Sequence, residues 1–201
     1  MNKLISTEHN FEKYKEVFLK ENSRLNLISK NDEKYLYEKH IYDSLGIKLF
    51  FEQYGIMPKT LLDIGTGGGF PSIPIAIEYP HIYVTGVDSI QKKINAVNNI
   101  VSELELKNIK FIRERIENIN DKQFDIITSR AVGKLELLIK YAYPLLKDNG
   151  FMVFYKSKTA EEELDEAKDT IRKFHLKIRP VITYKLPMEE QFERCLIVLQ
   201  K

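Results

Sequence analysis

Short apolar runs alternate with segments of helical periodicity through most of this chain, and that alternation restricts the possible folds more than any other feature of the sequence. The apolar runs occupy residues 60–65, 82–88, 109–112, 124–128 and 151–155. The segments with helical periodicity occupy residues 73–79, 94–106, 135–146 and 160–174. Because strands that alternate with helices form right-handed βαβ units, we predict an α/β fold with a mostly parallel, twisted sheet covered by helices on both faces.

The amino-terminal part of the chain is predicted to be helical. Aromatic residues spaced three and four apart predict an amphipathic helix that begins near Phe11 and ends near Leu25. After a polar break, where Asn31 or Asp32 is the expected cap, a second helix is predicted to run to about Tyr54. This part therefore lacks the strands of the alternating region.

The carboxyl-terminal part is predicted to form an antiparallel hairpin. Residues 181–184 and 192–199 are apolar runs with only a polar loop between them, too short for a crossover helix. We expect residues 1–56 to be a helical extension that packs on one compact α/β domain of residues 57–201.

Composition and charge limit the classes of function that are possible. Hydrophobic residues make up 43% of the 201 positions, enough for one large core, and 30% charged residues exclude a membrane bundle. The net charge of +2 excludes a global polycation, although a local basic face stays open. A single cysteine, a polar start unlike a signal peptide, and the lack of an 18-residue apolar run predict a cytoplasmic protein that is not in a membrane.

A glycine-rich segment follows the first apolar run and indicates a ligand site. It reads Asp63-Ile-Gly-Thr-Gly-Gly-Gly-Phe70, between a predicted strand and a predicted helix. Glycines at such a turn let a ligand approach backbone amides that a Cβ atom would block. The next apolar run ends at Asp88, 23 residues after Gly65, where an acid suits the two hydroxyls of an adenosine ribose.

The details of this segment select among adenosine cofactors. Phe70 stands where a dinucleotide fold requires a third glycine, and the chain lacks the Gly-Lys-Ser/Thr of a phosphate loop. S-adenosyl-L-methionine has no pyrophosphate and tolerates Phe70, while Asp63 is placed to organise the turn that receives its ammonium group. The candidate cofactor residues of this region are Asp63, Gly65, Thr66, Gly67, Gly69, Phe70, Asp88 and Ser89.

Three later segments add to this interpretation. Ile116 and Glu117 follow the third apolar run, where they are placed to flank an adenine, although Glu117 is equally well explained as a surface charge. Arg130 ends the fourth run, at the sheet edge where α/β folds bind ligands. Residues 147–150 are predicted to form a glycine-terminated turn before the fifth run.

The residues around these motifs resemble one protein family over nearly the whole chain. The glycine segment continues into Pro71 and Pro74, a combination that few methyltransferases share. The other matching segments are residues 26–28, 40–44, 88–89, 92–93, 115–117 and 129–131, with Lys156 and Arg194. With these motifs the chain resembles the RsmG family, also called glucose-inhibited division protein B, the bacterial 16S rRNA guanine-N7 methyltransferases.

This resemblance implies a fold, a reaction and a partner. The fold is a Rossmann-like class I S-adenosylmethionine-dependent methyltransferase, and the substrate is a guanine in the 530 loop of 16S rRNA, as free rRNA or in the small ribosomal subunit. Cofactor contacts are implied at Gly65, Phe70, Ile116, Glu117 and Arg130, and Arg130 and Lys156 are expected to position the substrate. The candidate RNA-binding residues are Asn26, Lys39, His40, Lys156 and Arg194.

The chain departs from the family pattern at several positions. Lys39 replaces the usual arginine, which puts a bidentate contact there in doubt, Ser157 replaces a glycine, and Cys195 replaces a common histidine. The chain is also shorter than the family pattern at its amino terminus.

The residues also restrict the chemistry. Cys195, the one cysteine, precedes a leucine on a predicted strand, so we expect it in the core and not as the nucleophile of a pyrimidine C5 methyltransferase. Thr128 to Ala131 replaces the Asn/Asp-Pro-Pro-Tyr/Phe loop of exocyclic-amine methyltransferases. Guanine N7 has an in-plane lone pair and no proton, so in-line transfer there needs neither device, nor a general base or a metal.

Other interpretations stay open at the level of sequence. The fold does not fix the substrate, so another RNA, a small molecule or a protein remains an alternative, as does a non-catalytic ribosome-binding protein. His40, Asp43 and Ser44 share one helix face and form a polar cluster, not a hydrolytic triad. The basic residues of the amino-terminal helices are either solvated or track RNA phosphates. We expect a monomer.

Overall fold

An eight-stranded mixed sheet forms the centre of the protein in a computed structural model, which describes residues 11–120, 123–130, 133–157, 160–189 and 192–201. The strands are β1 Thr60–Ile64, β2 Tyr83–Asp88, β3 Ile109–Arg113, β4 Phe124–Arg130, β5 Leu146–Lys156, β6 Lys177–Ile178, β7 Ile182–Lys185 and β8 Glu193–Gln200. Their order is β3-β2-β1-β4-β5-β8-β6, with β7 also paired to β8. The first five strands of this order are parallel, and β8 pairs antiparallel with β5, β6 and β7. The predicted α/β fold with a carboxyl-terminal antiparallel pair is thereby confirmed.

The helices lie before and between the strands as the periodicity predicts. They are α1 Glu12–Leu25, α2 Lys30–Glu33, α3 Ile47–Tyr54, α4 Ser72–Glu78, α5 Gln91–Glu103, α6 Leu135–Ala142, α7 Ala160–Glu166 and α8 Lys168–Lys173. A π-helix spans Leu36–Tyr42, and short 3-10 helices span Ile116–Asn118 and Tyr143–Leu145.

The strand order places the candidate site at one edge of the sheet. β1 lies between β2 and β4, so the chain leaves β1 on one side and returns on the other. Ile64 at the end of β1 is in register with Val87 of β2 and with Ser129 of β4. Such a switch point leaves a crevice at the carboxyl ends of the strands, where α/β folds bind their ligands.

The prediction of one continuous second helix was wrong. That segment divides into α2, the π-helix and α3, and its cap is Ser29, whose hydroxyl accepts from the amide of Asp32. Tertiary partners use backbone carbonyls of this segment. The carbonyl of Lys39 accepts from Arg130, and that of Ser44 accepts from Tyr155, so the segment is shaped by contacts that no local pattern encodes.

One further prediction was wrong, at the start of β5, and the strand β6 was missed. Residues 147–150 are not a turn, because β5 already begins at Leu146, which pairs with Phe124 of β4. A register shift between Phe124 and Ile126 absorbs the additional residues as a β-bulge. The two-residue strand β6 was not predicted, since two exposed residues have no readable alternation.

The amino-terminal helices share a hydrophobic core with the sheet. Phe11, Tyr14 and Phe18 of this region are almost fully buried in one cluster that also contains Leu61 of β1 and Phe70 of the glycine segment. A second cluster covers the opposite side of the sheet, beneath α6 and α8. The helical extension therefore packs on the α/β core beside the glycine segment, while the division at residue 56 stays a prediction.

Candidate active site

A cavity of about 630 Å³ opens at the carboxyl ends of β1, β2 and β4. Six parts of the described chain contribute to its lining: the amino-terminal region, the end of β1 with the glycine segment, the end of β2, the start of α5, the residues after β3, and the end of β4. Its lining residues are Leu27, Ile28, Ser29, Asp32, His40, Ile64, Gly65, Thr66, Gly67, Gly68, Phe70, Val87, Asp88, Ser89, Lys93, Glu114, Arg115, Ile116, Glu117 and Arg130. The volume lies within the range of about 300–1,000 Å³ that is typical of small-molecule sites.

The glycine segment is held open toward the cavity by its backbone conformation. Gly67 has a φ of +55°, and a Cβ atom there would meet no atom closer than the carbonyl of Gly65 at 3.8 Å. Its amide donates to Asp88 Oδ2 at 3.0 Å. Gly69, in contrast, does not line the cavity, because a Cβ there would lie 2.5 Å from Ile73. Gly67 therefore leaves space for a ligand, and Gly69 permits packing.

Asp88 joins the glycine segment to the end of β2. One carboxylate oxygen accepts from Gly67, and the other accepts from the amide of Ile90 at 2.9 Å. Each oxygen can accept a second hydrogen bond, and the residue lies on the cavity lining. The carboxylate is thus fixed in position and still has acceptor capacity for hydroxyl groups of a ligand.

Asp63 lies behind the glycine segment and not in the cavity. It is fully buried, and it accepts hydrogen bonds from the hydroxyls of Ser72 and Thr128. Burial, which outweighs these hydrogen bonds, raises the pKa of Asp63 to about 7. Asp63 does not line the cavity, and its role in organising the turn that receives the ammonium group stays a prediction. Asp63 fixes the segment from below, through Ser72 at the start of α4.

Arg130 lies at the centre of the polar part of the cavity wall. Its Nη1 donates to the carbonyl of Lys39 at 3.2 Å and to Asp43 Oδ2 at 3.0 Å. Its guanidinium carbon lies 5.1 Å from the centre of the Phe70 ring, a cation–π distance. Among the described residues no acceptor faces its Nε–H or the second N–H of Nη2, so two of its five donors remain for a ligand.

His40 is neutral, and its tautomer follows from its contact with Arg130. Arg130 Nη2 lies 2.9 Å from His40 Nδ1, and a guanidinium can only donate, so Nδ1 accepts and the proton is on Nε2. Burial and then the positive charge of Arg130 lower the pKa of His40 to about 4. The His40 ring packs 5.0 Å from the ring of Phe70. His40 therefore adds no positive charge to that of Arg130.

A buried carboxylate connects Arg130 to the antiparallel strands. Asp43 accepts from Arg194 Nε at 2.9 Å and Nη2 at 3.1 Å, and from the hydroxyl of Tyr184 at 2.6 Å. Burial alone would raise the pKa of Asp43, but the two guanidinium groups and the hydrogen bonds outweigh it and hold the pKa below its usual range. The polar cluster predicted at residues 40–44 is therefore a junction that fixes Arg130.

The remaining predicted residues lie outside the cavity lining. Asn26 ends α1 in a left-handed conformation, and the ammonium of Lys39 pairs with Asp32 at 2.8 Å. Lys156 pairs with Glu163 and is only 10% exposed, while Arg194 pairs with Asp43. Their assignments as RNA contacts stay predictions. Cys195 is buried as predicted, and burial raises the pKa of its thiol.

Several lining residues were missed by the sequence reasoning. Leu27, Ile28 and Ser29 come from the connection after α1, and Asp32 was assigned only as a helix cap. Lys93 lies on α5, and Glu114 and Arg115 directly precede the predicted pair at 116–117. The proximity of Arg115 to that pair was a usable signal. The only signal in the amino-terminal segment was the family match at residues 26–28, because the tertiary fold is what brings this segment over the glycine segment.

The chemistry of the lining fits S-adenosyl-L-methionine. Four carboxylates face the cavity together with three permanent cations; they are Asp32, Asp88, Glu114 and Glu117, with Lys93, Arg115 and Arg130. A zwitterionic ligand with an additional sulfonium suits a lining that has both signs of charge and one more carboxylate than permanent cations. Among the described residues no helix is long and apolar enough to cross a membrane, and no cluster of three potential metal ligands occurs.

The fold and the cavity together define a Rossmann-like class I methyltransferase. Solved methyltransferase structures share the fold at low identity. The ribosomal protein L11 methylase of Lactobacillus delbrueckii subsp. bulgaricus has a TM-score of 0.60 at 18% identity, with 79% of each chain covered. TYW2 of M. jannaschii, solved in complex with AdoMet, has a TM-score of 0.56 at 16% identity, with 77% of this chain and 74% of that chain covered.

Sequence comparison then gives the family. The family model GidB, described as rRNA small subunit methyltransferase G, matches residues 7–189. The ribosomal RNA small subunit methyltransferase G of Lysinibacillus sphaericus is 36% identical over 196 residues, which cover 95% of this chain and 81% of that protein. The chain belongs to this family of S-adenosyl-L-methionine-dependent methyltransferases, as its motifs predicted.

Proposed function

We propose that this enzyme transfers a methyl group from S-adenosyl-L-methionine to N7 of a guanine in the 530 loop of 16S rRNA. The observation that best supports the cofactor site is the hydrogen bond from the Gly67 amide to Asp88. Next to it lies open space, since a Cβ atom at Gly67 would have no side-chain atom within 4 Å. The family membership supports the ribosomal substrate.

Three parts of the cavity wall would hold the cofactor. Asp88 and Ser89, which line the cavity, would hold the ribose, and Ile116 and Glu117 would hold the adenine. Gly65, Thr66 and Gly67 lie along the amino-acid part, where Phe70 closes the floor. We assign Asp63 and Gly69 to the support of this wall, since neither lines it.

The bound cofactor supplies an electrophilic methyl group on a sulfonium, which the N7 lone pair of guanine attacks in line. The chain then needs to orient the two reactants, and near-attack positioning can contribute about 7–11 kcal/mol. Arg130, fixed by Asp43 and Lys39, directs its remaining N–H donors toward the guanine O6. His40 stays neutral beside it and adds no positive charge near the sulfonium. No residue removes a proton from N7, because none is there.

The proposed setting of the reaction is the bacterial cytoplasm, where rRNA is made, and the proposed acting form is a monomer. Sedimentation of the purified chain at micromolar concentration checks the second statement. A single species of about 24 kDa is expected from a chain of 23.6 kDa.

The function is tested with 16S rRNA from cells that lack the gene. The purified enzyme and methyl-labelled S-adenosyl-L-methionine are incubated with that rRNA, free or in the small subunit, and nuclease fragments are analysed by mass spectrometry. We expect one 7-methylguanosine in the 530-loop fragment. A label at another position or on another base, or rRNA that already carries the mark without the gene, contradicts the proposal.

A further inference from the structure

A partly exposed aromatic and basic cluster lies beside the active-site cavity and has no role in the cofactor site. It consists of Tyr35, Lys39 and Phe192, which we call the rim cluster. The Lys39 ammonium lies 5.0 Å from the centre of the Tyr35 ring and 5.7 Å from the centre of the Phe192 ring. Phe192 is 41% exposed, one of few large apolar side chains of the described residues that face solvent.

The rim cluster is attached to the cavity through two contacts of Lys39. Its ammonium pairs with Asp32, which lines the cavity, and its carbonyl accepts from Arg130 on the cavity wall. Phe192 is also fixed, since its carbonyl accepts from the amide of Leu186 at 3.0 Å. The rim cluster is therefore adjacent to the cavity that the target base would enter.

The charge distribution favours a nucleic acid at this place. Three of the four basic residues of α1 are paired with carboxylates: Lys15 with Glu12, Lys20 with Glu103 and Arg24 with Glu21. At the rim cluster, in contrast, two lysines lie against a ring: the ammonium groups of Lys34 and Lys39 are 4.7 and 5.0 Å from the centre of the Tyr35 ring. Aromatic rings beside cations are the pattern that binds unpaired nucleotides, by stacking and by phosphate contact.

We propose that the rim cluster is a stacking platform for an unpaired nucleotide next to the target guanine, with Phe192 and Tyr35 contacting bases and Lys39 contacting a phosphate. This inference rests on the proposed function, because it takes the substrate to be RNA. It assigns part of the RNA affinity to stacking, which a chain with a net charge of only +2 needs in addition to electrostatic attraction.

The platform is tested by binding, without turnover. The probe is a single-stranded RNA with the 530-loop sequence and 2-aminopurine beside the target guanine, and the chain contains no tryptophan to interfere with its fluorescence. We expect quenching on binding to the wild type, and for Phe192→Ala a loss of quenching with roughly tenfold weaker affinity. Phe192→Tyr is expected to restore both. The affinity of Phe192→Ala for S-adenosyl-L-methionine is expected to be unchanged.

Two further variants separate stacking from charge and from general effects. RNA affinity falls as salt concentration rises. Lys39→Gln is expected to make the plot of log affinity against log salt less steep by about 0.7, whereas Phe192→Ala leaves its slope unchanged. Tyr83→Ala is the matched control, because Tyr83 is 66% exposed at the start of β2, the opposite edge of the sheet. It is expected to bind RNA like the wild type.

Each failure has its own signature. Equal binding and quenching by the wild type and Phe192→Ala overturns the platform, and the function stands if both methylate 16S rRNA. Weaker RNA binding by Phe192→Ala without methylation by either protein overturns the function and keeps the platform. A wild type that does not bind the probe, but captures a protein through Phe192, also overturns the platform.

Discussion

Asp43 has a buried carboxylate that fixes the position of Arg130 in the site. It is 1% exposed and holds two guanidinium groups, one from the parallel strand β4 and one from the antiparallel strand β8. A buried charge that loses its partner is costly, whereas an exposed ion pair contributes little. The position of Arg130 in the cavity therefore depends on a residue that itself contacts no ligand.

Asp43→Asn is expected to lower the free energy of unfolding by about 3–5 kcal/mol, because two buried guanidinium groups then lack their counter-charge. Urea denaturation measures this loss. Asp165→Asn is the matched control, since the ion pair of Asp165 with Lys168 is exposed and is expected to contribute less than about 1 kcal/mol. A similar loss of unfolding free energy in the two variants contradicts the role of Asp43 in holding the two arginines.

Asp88→Ala is expected to weaken S-adenosyl-L-methionine binding by about 1.5–3 kcal/mol, since hydrogen bonds to a charged group are lost. Isothermal titration calorimetry gives this value. Asp63→Asn keeps hydrogen-bonding capacity toward Ser72 and Thr128 and does not face the cavity, so its affinity is expected to stay within about threefold of the wild type. If Asp63→Asn weakens cofactor binding more than Asp88→Ala does, then Asp63 and not Asp88 contacts the cofactor.

The sequence allowed the prediction of site residues that belong to strand ends. Gly67, Asp88 and Arg130 each follow an apolar run, and parallel strands end at one edge, so their proximity followed from the pattern. Asp32 and His40 come from the helical extension, and its placement depends on long-range contacts such as Arg130 with Lys39. Local periodicity contains no information on such contacts.

At the level of elements, the glycine segment and the extension differ in how strongly sequence determines them. β1, β2 and β4 begin and end within about two residues of the apolar runs that predict them, because each is buried in the sheet. The π-helix replaces part of a predicted α-helix at a place where Arg130 of β4 binds the carbonyl of Lys39, and Tyr155 of β5 binds the carbonyl of Ser44 just after it. Elements shaped by their neighbours are the ones that pattern analysis describes wrongly.

Gly67→Val is expected to abolish measurable cofactor binding while the protein still folds. The side chain would enter the space beside Asp88, and the positive φ would cost about 1–3 kcal/mol of stability. Gly55→Val is the control, because Gly55 has a φ of +60° with no atom within 4 Å and lies outside the cavity. Calorimetry together with circular dichroism distinguishes the two. Normal binding by Gly67→Val shows that the ligand does not approach this segment.

At the scale of the whole molecule, two buried groups give stability opposite dependences on pH. The pKa of His40 is lowered to about 4, so the unfolded chain binds its proton first and stability falls as the pH drops from 6.5 to 4. The pKa of Asp63 is raised to about 7, so the folded chain binds its proton first and stability falls as the pH rises from 4 to 7.

Comparison with variants separates these two contributions. Between pH 6.5 and 4 the wild type is expected to lose up to about 3 kcal/mol relative to His40→Gln, at about 1.4 kcal/mol for each pKa unit. Relative to Asp63→Asn, it is expected to gain stability over the same range. Urea denaturation at a series of pH values tests both signs. A parallel pH profile for the wild type and His40→Gln contradicts the neutral, Arg130-bound histidine.

The central claim is that the cavity beside Gly67 and Asp88 holds the methyl donor, and a crystal structure with S-adenosylhomocysteine tests it most directly. We predict density with the ribose hydroxyls on Asp88, the adenine against Ile116, and the sulfur on the side of the cavity where Arg130 lies. A ligand bound elsewhere on the protein, or a cavity that stays empty at saturating ligand, would contradict the account.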